Sequence, residues 1–158
     1  MNETIDTRIY MHNSLRLAAL GALFISTQAL AAELIPIDVH RDANCSCCTA
    51  WISHLQDNGF KVTDHVEPDM SEVKQRLGVA PRLASCHTGV INGKFVEGHV
   101  PAEQVLALAK RDDLLGMAVP GMPTGSPGME MGDRVDAYQV IGLTKNGTDE
   151  VIADYPAQ

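Results

Sequence analysis

Short segments with the periodicity of strands alternate along this chain with segments that have the periodicity of helices. Apolar residues alternate over residues 34–40 and 60–67, which is typical of strands. They recur every three to four residues over 47–58 and 69–77, which is typical of amphipathic helices. Strands that alternate with helices favour a sheet with helices packed on it. We therefore expect an α/β fold.

The middle of the chain carries a strong hairpin signal. Asn92-Gly93 separates two strand-like segments, 85–91 and 94–99, and an Asn-Gly pair in this position favours a tight two-residue turn. A helix that begins at Pro101 is predicted to follow. The resulting order, β-α-β-α-β-β-α, matches the thioredoxin architecture.

The last part of the chain is predicted to be a loop followed by a second hairpin. Residues 117–132 are rich in Gly, Pro and Met and show no periodicity, which indicates a loop. Strand-like segments over 138–144 and 150–154 flank a second Asn-Gly pair. We therefore expect a thioredoxin-like fold with a central mixed sheet, flanking helices and an additional C-terminal hairpin.

The first 31 residues are predicted to be a signal peptide rather than part of this fold. Arg16 precedes an apolar run over 17–25, which is too short to span a bilayer as a helix. The small residues Ala29 and Ala31 suit cleavage after Ala31 by signal peptidase. A buried N-terminal helix or a membrane anchor is the alternative interpretation.

Cleavage would leave residues 32–158 as a single exported domain, with no stable membrane insertion. Because residues 1–10 are unusual for a signal peptide, Met11 as the true start of translation is a further hypothesis. Disulfides persist in exported proteins, so the cysteines are first considered as disulfides. The formal net charge of −8 argues against a nucleic-acid partner but not against metal cations.

Three of the four cysteines lie within four residues, at the predicted start of the first helix. A helix N-terminus lowers the pKa of a thiol, because unpaired amides and the helix dipole favour the thiolate. Cys45 and Cys48 form a C-x-x-C pair, which is typical of thiol–disulfide oxidoreductases. Cys47 lies between them, and a third thiol there would scramble the disulfide. Three thiolates in one turn suit a soft metal better.

Further soft donors are predicted to reach the same place. Cys86 comes from the third strand. In a thioredoxin-like sheet the segment before that strand approaches the start of the first helix, so all four thiols could meet. His87 adjoins Cys86, and His99 closes the opposite strand of the hairpin. The predicted loop contributes four methionines that could fold over the thiols, with the first two favoured as ligands: Met117, Met122, Met129 and Met131.

Thiolate, imidazole and thioether groups together are the ligand set that selects Cu(I), with zinc and iron–sulfur clusters as competitors. Two alternatives remain open from the residues alone. One is a pair of structural disulfides, and the other is a thiol–disulfide enzyme without a metal. We interpret Glu97 as a solubilising residue, His54 as a packing residue, and His40 and His65 as solvated residues.

Several motifs occur in an order that is characteristic of one family. They are Cys45-x-Cys47-Cys48 with Trp51, Leu55-x-x-x-Gly59-Phe60, Ser85-Cys86-His87-Thr88, Glu97-Gly98-His99-Val100-Pro101, and Pro120-Gly121-Met122-Pro123-x-Gly125-Ser126-Pro127-Gly128-Met129-Glu130. Together they resemble the CopG-type copper-resistance family, formerly known only as a domain of unknown function. The resemblance covers about Ile35 to Pro156. One departure is Ser46, where relatives commonly have Gly, and a small residue is retained.

The resemblance implies a periplasmic thioredoxin-like protein of a Gram-negative bacterium, encoded with copper and silver resistance systems. It implies a thiolate-bridged multinuclear Cu(I) cluster and interconversion of Cu(I) and Cu(II), the activity of a copper oxidoreductase. The implied thiolates are Cys45, Cys47, Cys48 and Cys86, with His87, Met117 and Met122 as further candidates, to which the predicted hairpin adds His99.

The expected partners are copper ions, silver as a second soft cargo, and periplasmic efflux or oxidase proteins. No catalytic residue is expected apart from the metal site. Two other functions stay open. They are a thiol–disulfide oxidoreductase that uses Cys45 and Cys48, and a chaperone that carries a single Cu(I) ion to an efflux system.

Overall fold

A computed structural model describes residues 33–158, so the predicted signal peptide lies outside the described residues. A short 3-10 helix, Pro81–Leu83, is the one irregular helical turn between the regular elements of this part of the chain. In chain order these elements are β1 (Ile35–Arg41), α1 (Ser46–Asp57), β2 (Phe60–Val66), α2 (Met70–Leu77), β3 (His87–Ile91), β4 (Lys94–Glu97), α3 (Ala102–Leu108), β5 (Leu114–Ala118), β6 (Tyr138–Thr144) and β7 (Asp149–Tyr155). No helix between residues 33 and 158 is long and apolar enough to cross a membrane.

The seven strands form one mixed sheet in the order β2-β1-β3-β4-β5-β6-β7. Strand β1 runs parallel to β2 and antiparallel to β3, and β4 runs antiparallel to β3 and parallel to β5. The hairpin of β6 and β7 extends the sheet beyond β5. This topology confirms the predicted α/β class, the mixed sheet and the C-terminal hairpin, and its first four strands are consistent with a thioredoxin-like arrangement.

The turn between β3 and β4 has the geometry that its sequence predicts. Asn92 and Gly93 both have positive φ angles, 49° and 75°. A two-residue turn of type I′ needs positive φ at both central residues, which Asn and Gly tolerate best. The predicted hairpin is therefore confirmed, with strands slightly shorter than expected.

The predicted loop over residues 117–132 is wrong at its start, because Leu114–Ala118 forms strand β5. Met117 lies opposite Val96 of β4 in this strand, and both side chains are fully buried. A central strand buried on both faces is a short continuous apolar run rather than an alternating one. Residues 114–118 therefore lack the alternation of apolar and polar residues that predicts a strand. The Gly- and Pro-rich sequence that follows them predicts a loop instead.

Hydrophobic clusters cover both faces of the sheet. The larger one packs α1 and α3 against the sheet, with Trp51, Leu55 and Val105 among its members. The smaller one, on the other face, contains Phe95 and Ala118 of the sheet. Arg41, at the end of β1, pairs with His87, at the start of β3. The segment between β1 and α1 and the segment before β3 therefore come together at one end of the sheet.

Candidate metal centre

The N-terminus of α1 presents three cysteines at this end of the sheet. Cys45 is the N-cap residue, and its side chain makes no capping hydrogen bond. Cys47 is partly exposed, whereas Cys48 is fully buried. No acidic residue occupies the first turn of the helix. No carboxylate therefore competes with the sulfur atoms for the positive end of the helix dipole.

The fourth cysteine joins these three from the segment before β3. The sulfur atoms of Cys45, Cys47, Cys48 and Cys86 all lie within 4.8 Å of one another. The Sγ of Cys47 is 3.5 Å from that of Cys45 and 3.9 Å from that of Cys86. The structure thus brings together the four sulfurs that the sequence singled out, and their role as metal ligands stays a prediction.

One disulfide bond joins two of the four cysteines. Cys45 and Cys48 are bonded, with their Cα atoms 5.3 Å apart, while Cys47 and Cys86 are free thiols. The alternative of two structural disulfides is therefore wrong for this state of the protein. Because exchange proceeds by attack of a thiolate on a disulfide sulfur, the contact between Cys47 and Cys45 places a thiol where it can attack this disulfide.

Two histidines flank the sulfur of Cys86. The Nδ1 atom of His87 and the Nε2 atom of His99 each lie 3.2 Å from this Sγ. The Nδ1 atom of His99 is 2.8 Å from the carbonyl oxygen of Pro127. A carbonyl oxygen only accepts, so Nδ1 donates its proton and the lone pair of Nε2 points toward Cys86. Fixing the tautomer in this way is typical of metal-binding histidines.

His87 is a fully buried member of the candidate centre. Its ring packs against Trp51 with ring centroids 4.3 Å apart, and against His99 at 4.9 Å. Within residues 33–158, its Nε2 is the one buried side-chain nitrogen or oxygen without a hydrogen-bond partner. An unpaired buried polar atom costs free energy, which makes it a marker of function. Burial, and next the charges of His99 and Lys74, hold the pKa of His87 well below its usual value.

The surroundings of Cys86 keep its thiol protonated when no metal is bound. Burial is the main cause, with the charge of Cys47 next, and together they raise the pKa of Cys86 to about 12. Burial also lowers the pKa of His99. At neutral pH the centre therefore offers neutral imidazoles and a thiol whose proton a metal ion would have to displace.

The segment between β5 and β6 lies over the start of α1. Gly128 has a φ of +82°, and a Cβ atom there would lie 2.7 Å from the backbone nitrogen of Trp51 and 3.0 Å from the carbonyl oxygen of Cys47. Only glycine permits this approach. The hydroxyl of Ser85 donates to the carbonyl oxygen of Gly121 and thereby ties the same segment to the Cys86 side of the centre.

The methionines that the sequence grouped together lie in two different environments. Three of them, Met122, Met129 and Met131, line a groove of about 440 Å³ whose wall also includes Cys47. Met122 and Met131 are 54% and 69% exposed, which is unusual for side chains of this size and polarity. Met117 instead packs in the larger core cluster from strand β5. The groove therefore brings thioethers, but not that of Met117, beside one thiol of the centre.

Glu97 is wrong as a solubilising residue, because its side chain is fully buried. Its Oε1 accepts hydrogen bonds from the Nζ of Lys74 and the backbone N–H of Ser85, both at 2.5 Å. Its Oε2 accepts from the hydroxyl of Thr88 at 2.6 Å. The sequence did contain a signal, since an acidic residue directly follows Phe95 and Val96 in a strand-like run.

The remaining histidines lie away from the sulfur atoms. His54 is half-buried, and its Nε2 accepts a hydrogen bond from the backbone N–H of Ala102 at the start of α3. His40 and His65 are not simply solvated. Their rings stack with centroids 4.7 Å apart, and each ring is hydrogen-bonded to a carboxylate, that of Glu67 or Asp38.

Comparisons with known proteins assign the chain to a family. The family model described as "Protein of unknown function, DUF411" matches residues 83–129, the stretch that holds Cys86, His87, His99 and Met122. A solved structure named "Copper resistance protein copG- Form 2" is 69% identical, with a TM-score of 0.77, over 78% of this chain and 100% of that chain. The structure named "Copper resistance protein copG- Form 1" is 70% identical, with a TM-score of 0.76, over 78% and 99%. No match is found among the curated proteins.

Identity at this level extends over essentially the whole length of both solved relatives. The family model matches residues 83–129 independently. The chain also carries a cluster of four cysteines that is able to hold a metal ion. The chain therefore belongs to the CopG family of copper-resistance proteins.

Proposed function

We propose that the protein binds Cu(I) at this centre and thereby contributes to copper resistance. The observation that carries the proposal is the set of four sulfur atoms within 4.8 Å of one another. Thiolates are soft donors that select Cu(I), and two imidazole nitrogens beside Cys86 extend the same donor set. Cu(I) held in this way is kept from reacting with oxygen and from entering the sites of other proteins.

The same crowding supports a multinuclear cluster rather than a single ion. Each of the four cysteines, Cys45, Cys47, Cys48 and Cys86, would act as a thiolate that bridges neighbouring copper ions once the disulfide is reduced. His87 and His99 would add nitrogen ligands, and Met122 would add a thioether from the groove beside Cys47. Met117 would act through packing, since it lies in the core cluster.

A redox role would use the disulfide between Cys45 and Cys48. Reduction of a disulfide takes two electrons and yields two thiolates, and oxidation of two Cu(I) ions to Cu(II) releases two electrons. The thiolates formed would stay on the metal or take up two protons. Interconversion of Cu(I) and Cu(II) is thus balanced within the centre, and repeated cycles require an external electron donor or acceptor.

The proposed setting is the periplasm of a Gram-negative bacterium, with residues 1–31 as the signal peptide. The apolar run after Arg16 and the small residues Ala29 and Ala31 support export. Silver is a second cargo that the same soft ligands would accept. An efflux or oxidase protein of the same compartment would receive the copper or the electrons.

Anaerobic titration of the reduced protein with Cu(I) tests the proposal, with bound copper counted by elemental analysis. We expect more than one tightly bound copper per chain and a loss of the cluster in Cys47→Ser. Ser71→Ala, which changes an exposed side chain of α2, is the control and should bind as the wild type does. Binding of a single transferable Cu(I) would favour the chaperone function instead.

A thiol–disulfide oxidoreductase is the second candidate, and the bond between Cys45 and Cys48 is the observation that favours it. This function needs only those two cysteines, so Cys47→Ser should leave its turnover intact. A reversible disulfide in a protein that retains no copper would establish the oxidoreductase and contradict the copper centre.

A further inference from the structure

A buried carboxylate lies behind the Cys86–His87 segment, on the face of the sheet that α2 covers. Glu97 of β4 is paired in register with Thr88 of β3, and both side chains are fully buried. Because side chains alternate along a strand, Thr88 points away from the face where His87 meets Trp51. Glu97 therefore contacts the ligand segment from the side opposite the candidate centre.

Two of the three hydrogen-bond donors to this carboxylate flank the Cys86–His87 pair in sequence. The backbone N–H of Ser85 and the hydroxyl of Thr88 belong to the residues directly before and after Cys86 and His87. The third donor, the Nζ of Lys74, comes from α2 and also lies 3.1 Å from the hydroxyl of Thr88. One carboxylate thus holds both ends of the two-residue segment that carries a sulfur and an imidazole.

A contribution to the stability of the fold does not by itself explain the buried pair of Glu97 and Lys74. Removing two charges from water costs more than a well-packed apolar pair would, so a buried ion pair is an inefficient stabiliser. A charged acceptor that binds the residues before and after the Cys86–His87 pair has a more specific effect. It fixes the position of the backbone of Cys86 and His87.

We propose that Glu97, held in place by Lys74, is a positioning residue that sets Cys86 and His87 for metal binding. The inference rests on the proposed Cu(I) function and deepens it. Glu97 does not contact the metal. It acts through the hydrogen bonds to Ser85 and Thr88, which order the ligand segment before the metal arrives. Groups that orient metal ligands in this way typically contribute about 10- to 100-fold to metal affinity.

Two double variants test the proposal because they differ only in the hydrogen-bond acceptor. Lys74→Met/Glu97→Gln removes both charges but keeps an amide oxygen for the N–H of Ser85. Lys74→Met/Glu97→Leu removes the charges and the acceptor. We expect the first variant to bind Cu(I) within about threefold of the wild type and the second to bind at least about tenfold more weakly. X-ray absorption should show a smaller nitrogen contribution to copper in the second variant only.

A measurement on the metal-free protein tests whether Glu97 orders the Cys86–His87 segment before any metal is bound. Hydrogen exchange of the Ser85 amide should be slow in the wild type and in the Gln variant, and clearly faster in the Leu variant. Leu108→Ala is the matched control for lost stability, since Leu108 is fully buried in the core near Lys94, at the opposite end of β4 from Glu97. This control should unfold more easily but bind Cu(I) with wild-type affinity.

Thr88→Val gives a test that does not depend on the double variants folding. It removes one donor to Glu97 with almost no change in shape, and we expect Cu(I) affinity to fall about two- to fivefold. Equal affinity of the two double variants, or wild-type affinity in Thr88→Val, overturns the positioning role. If the wild-type protein itself binds no Cu(I), the proposed function fails, and that result is distinct from a failure of the variants alone.

Discussion

Trp51 is the residue that connects the candidate centre to the hydrophobic core. Its indole N–H donates to the carbonyl oxygen of Val100 at 2.8 Å, and its ring packs against His87. The sequence predicts the position of Trp51 on the buried face of α1 from helical spacing. It cannot predict the contact with His87, because 36 positions separate the two residues and only the packing of α1 on β3 brings them together.

Trp51 should report metal binding, because it is the single tryptophan of the chain and its ring lies 4.3 Å from that of His87. We expect Ag(I), a heavy soft ion, to quench its fluorescence and to saturate at the number of ions found by elemental analysis. Cys86→Ser should weaken this response, whereas His65→Gln, on the other face of the sheet, should not. Unchanged fluorescence in protein with bound Ag(I) would contradict the placement of the site beside His87.

Gly128 should tolerate no side chain, for two separate reasons. Alanine at this position would have an unfavourable φ near +82° and would collide with the backbone of α1. We expect Gly128→Ala to lower the free energy of unfolding by about 3 kcal/mol, as measured by urea denaturation. Gly132→Ala is the control, because Gly132 has a φ of +70° but open space around its Cα. Gly132→Ala should lower the free energy of unfolding by about 1 kcal/mol. Equal losses in the two variants would show that the close approach of Gly128 to α1 is unimportant.

Most helices and strands are predictable here, and the exceptions have physical causes. Strands β1 and β2 alternate apolar and polar residues, and the Asn92-Gly93 turn specifies its own geometry. Strand β5 lacks such a pattern because four of its five residues are buried and these lie on both faces of the sheet. The cysteine cluster follows from the spacing at the start of α1, but the burial of Glu97 does not, since it depends on how α2 covers β3 and β4.

The N-cap of α2 should contribute to stability but not to metal binding. The carboxylate of Asp69 accepts a hydrogen bond from the backbone N–H of Ser71 at 2.7 Å. Loss of such a cap typically costs about 1 kcal/mol, so Asp69→Ala should lower the free energy of unfolding by that amount. Ser71→Ala keeps the backbone donor and should have almost no effect. A lower copper stoichiometry in folded Asp69→Ala protein would contradict this separation of the N-cap from the centre.

The whole molecule contributes to the centre through segments that are distant in sequence. Cys47 comes from the start of α1, and Cys86 comes from the segment before β3. His99 follows the β3–β4 hairpin, and the carbonyl group of Pro127 comes from the segment after β5. The sequence reveals the donor types, but the sheet order determines that they meet. A metal ion bound by the two thiolates and the imidazole would cross-link three parts of the chain, and His99 would join the fourth through Pro127, so metal binding and folding should be coupled.

This coupling predicts a large, thiol-dependent stabilisation by Cu(I). A ligand that binds only the folded state adds about 2.7 kcal/mol at a free concentration 100 times its dissociation constant, and about 4 kcal/mol at 1,000 times. We expect the reduced protein under anaerobic conditions to gain stability in this range, as measured by urea denaturation at fixed free Cu(I). The oxidised protein, in which Cys45 and Cys48 are bonded, should gain less because two sulfurs are unavailable. Cys47→Ser should also gain less, and a gain equal to that of the wild type in both would mean that copper binds outside the four-cysteine centre.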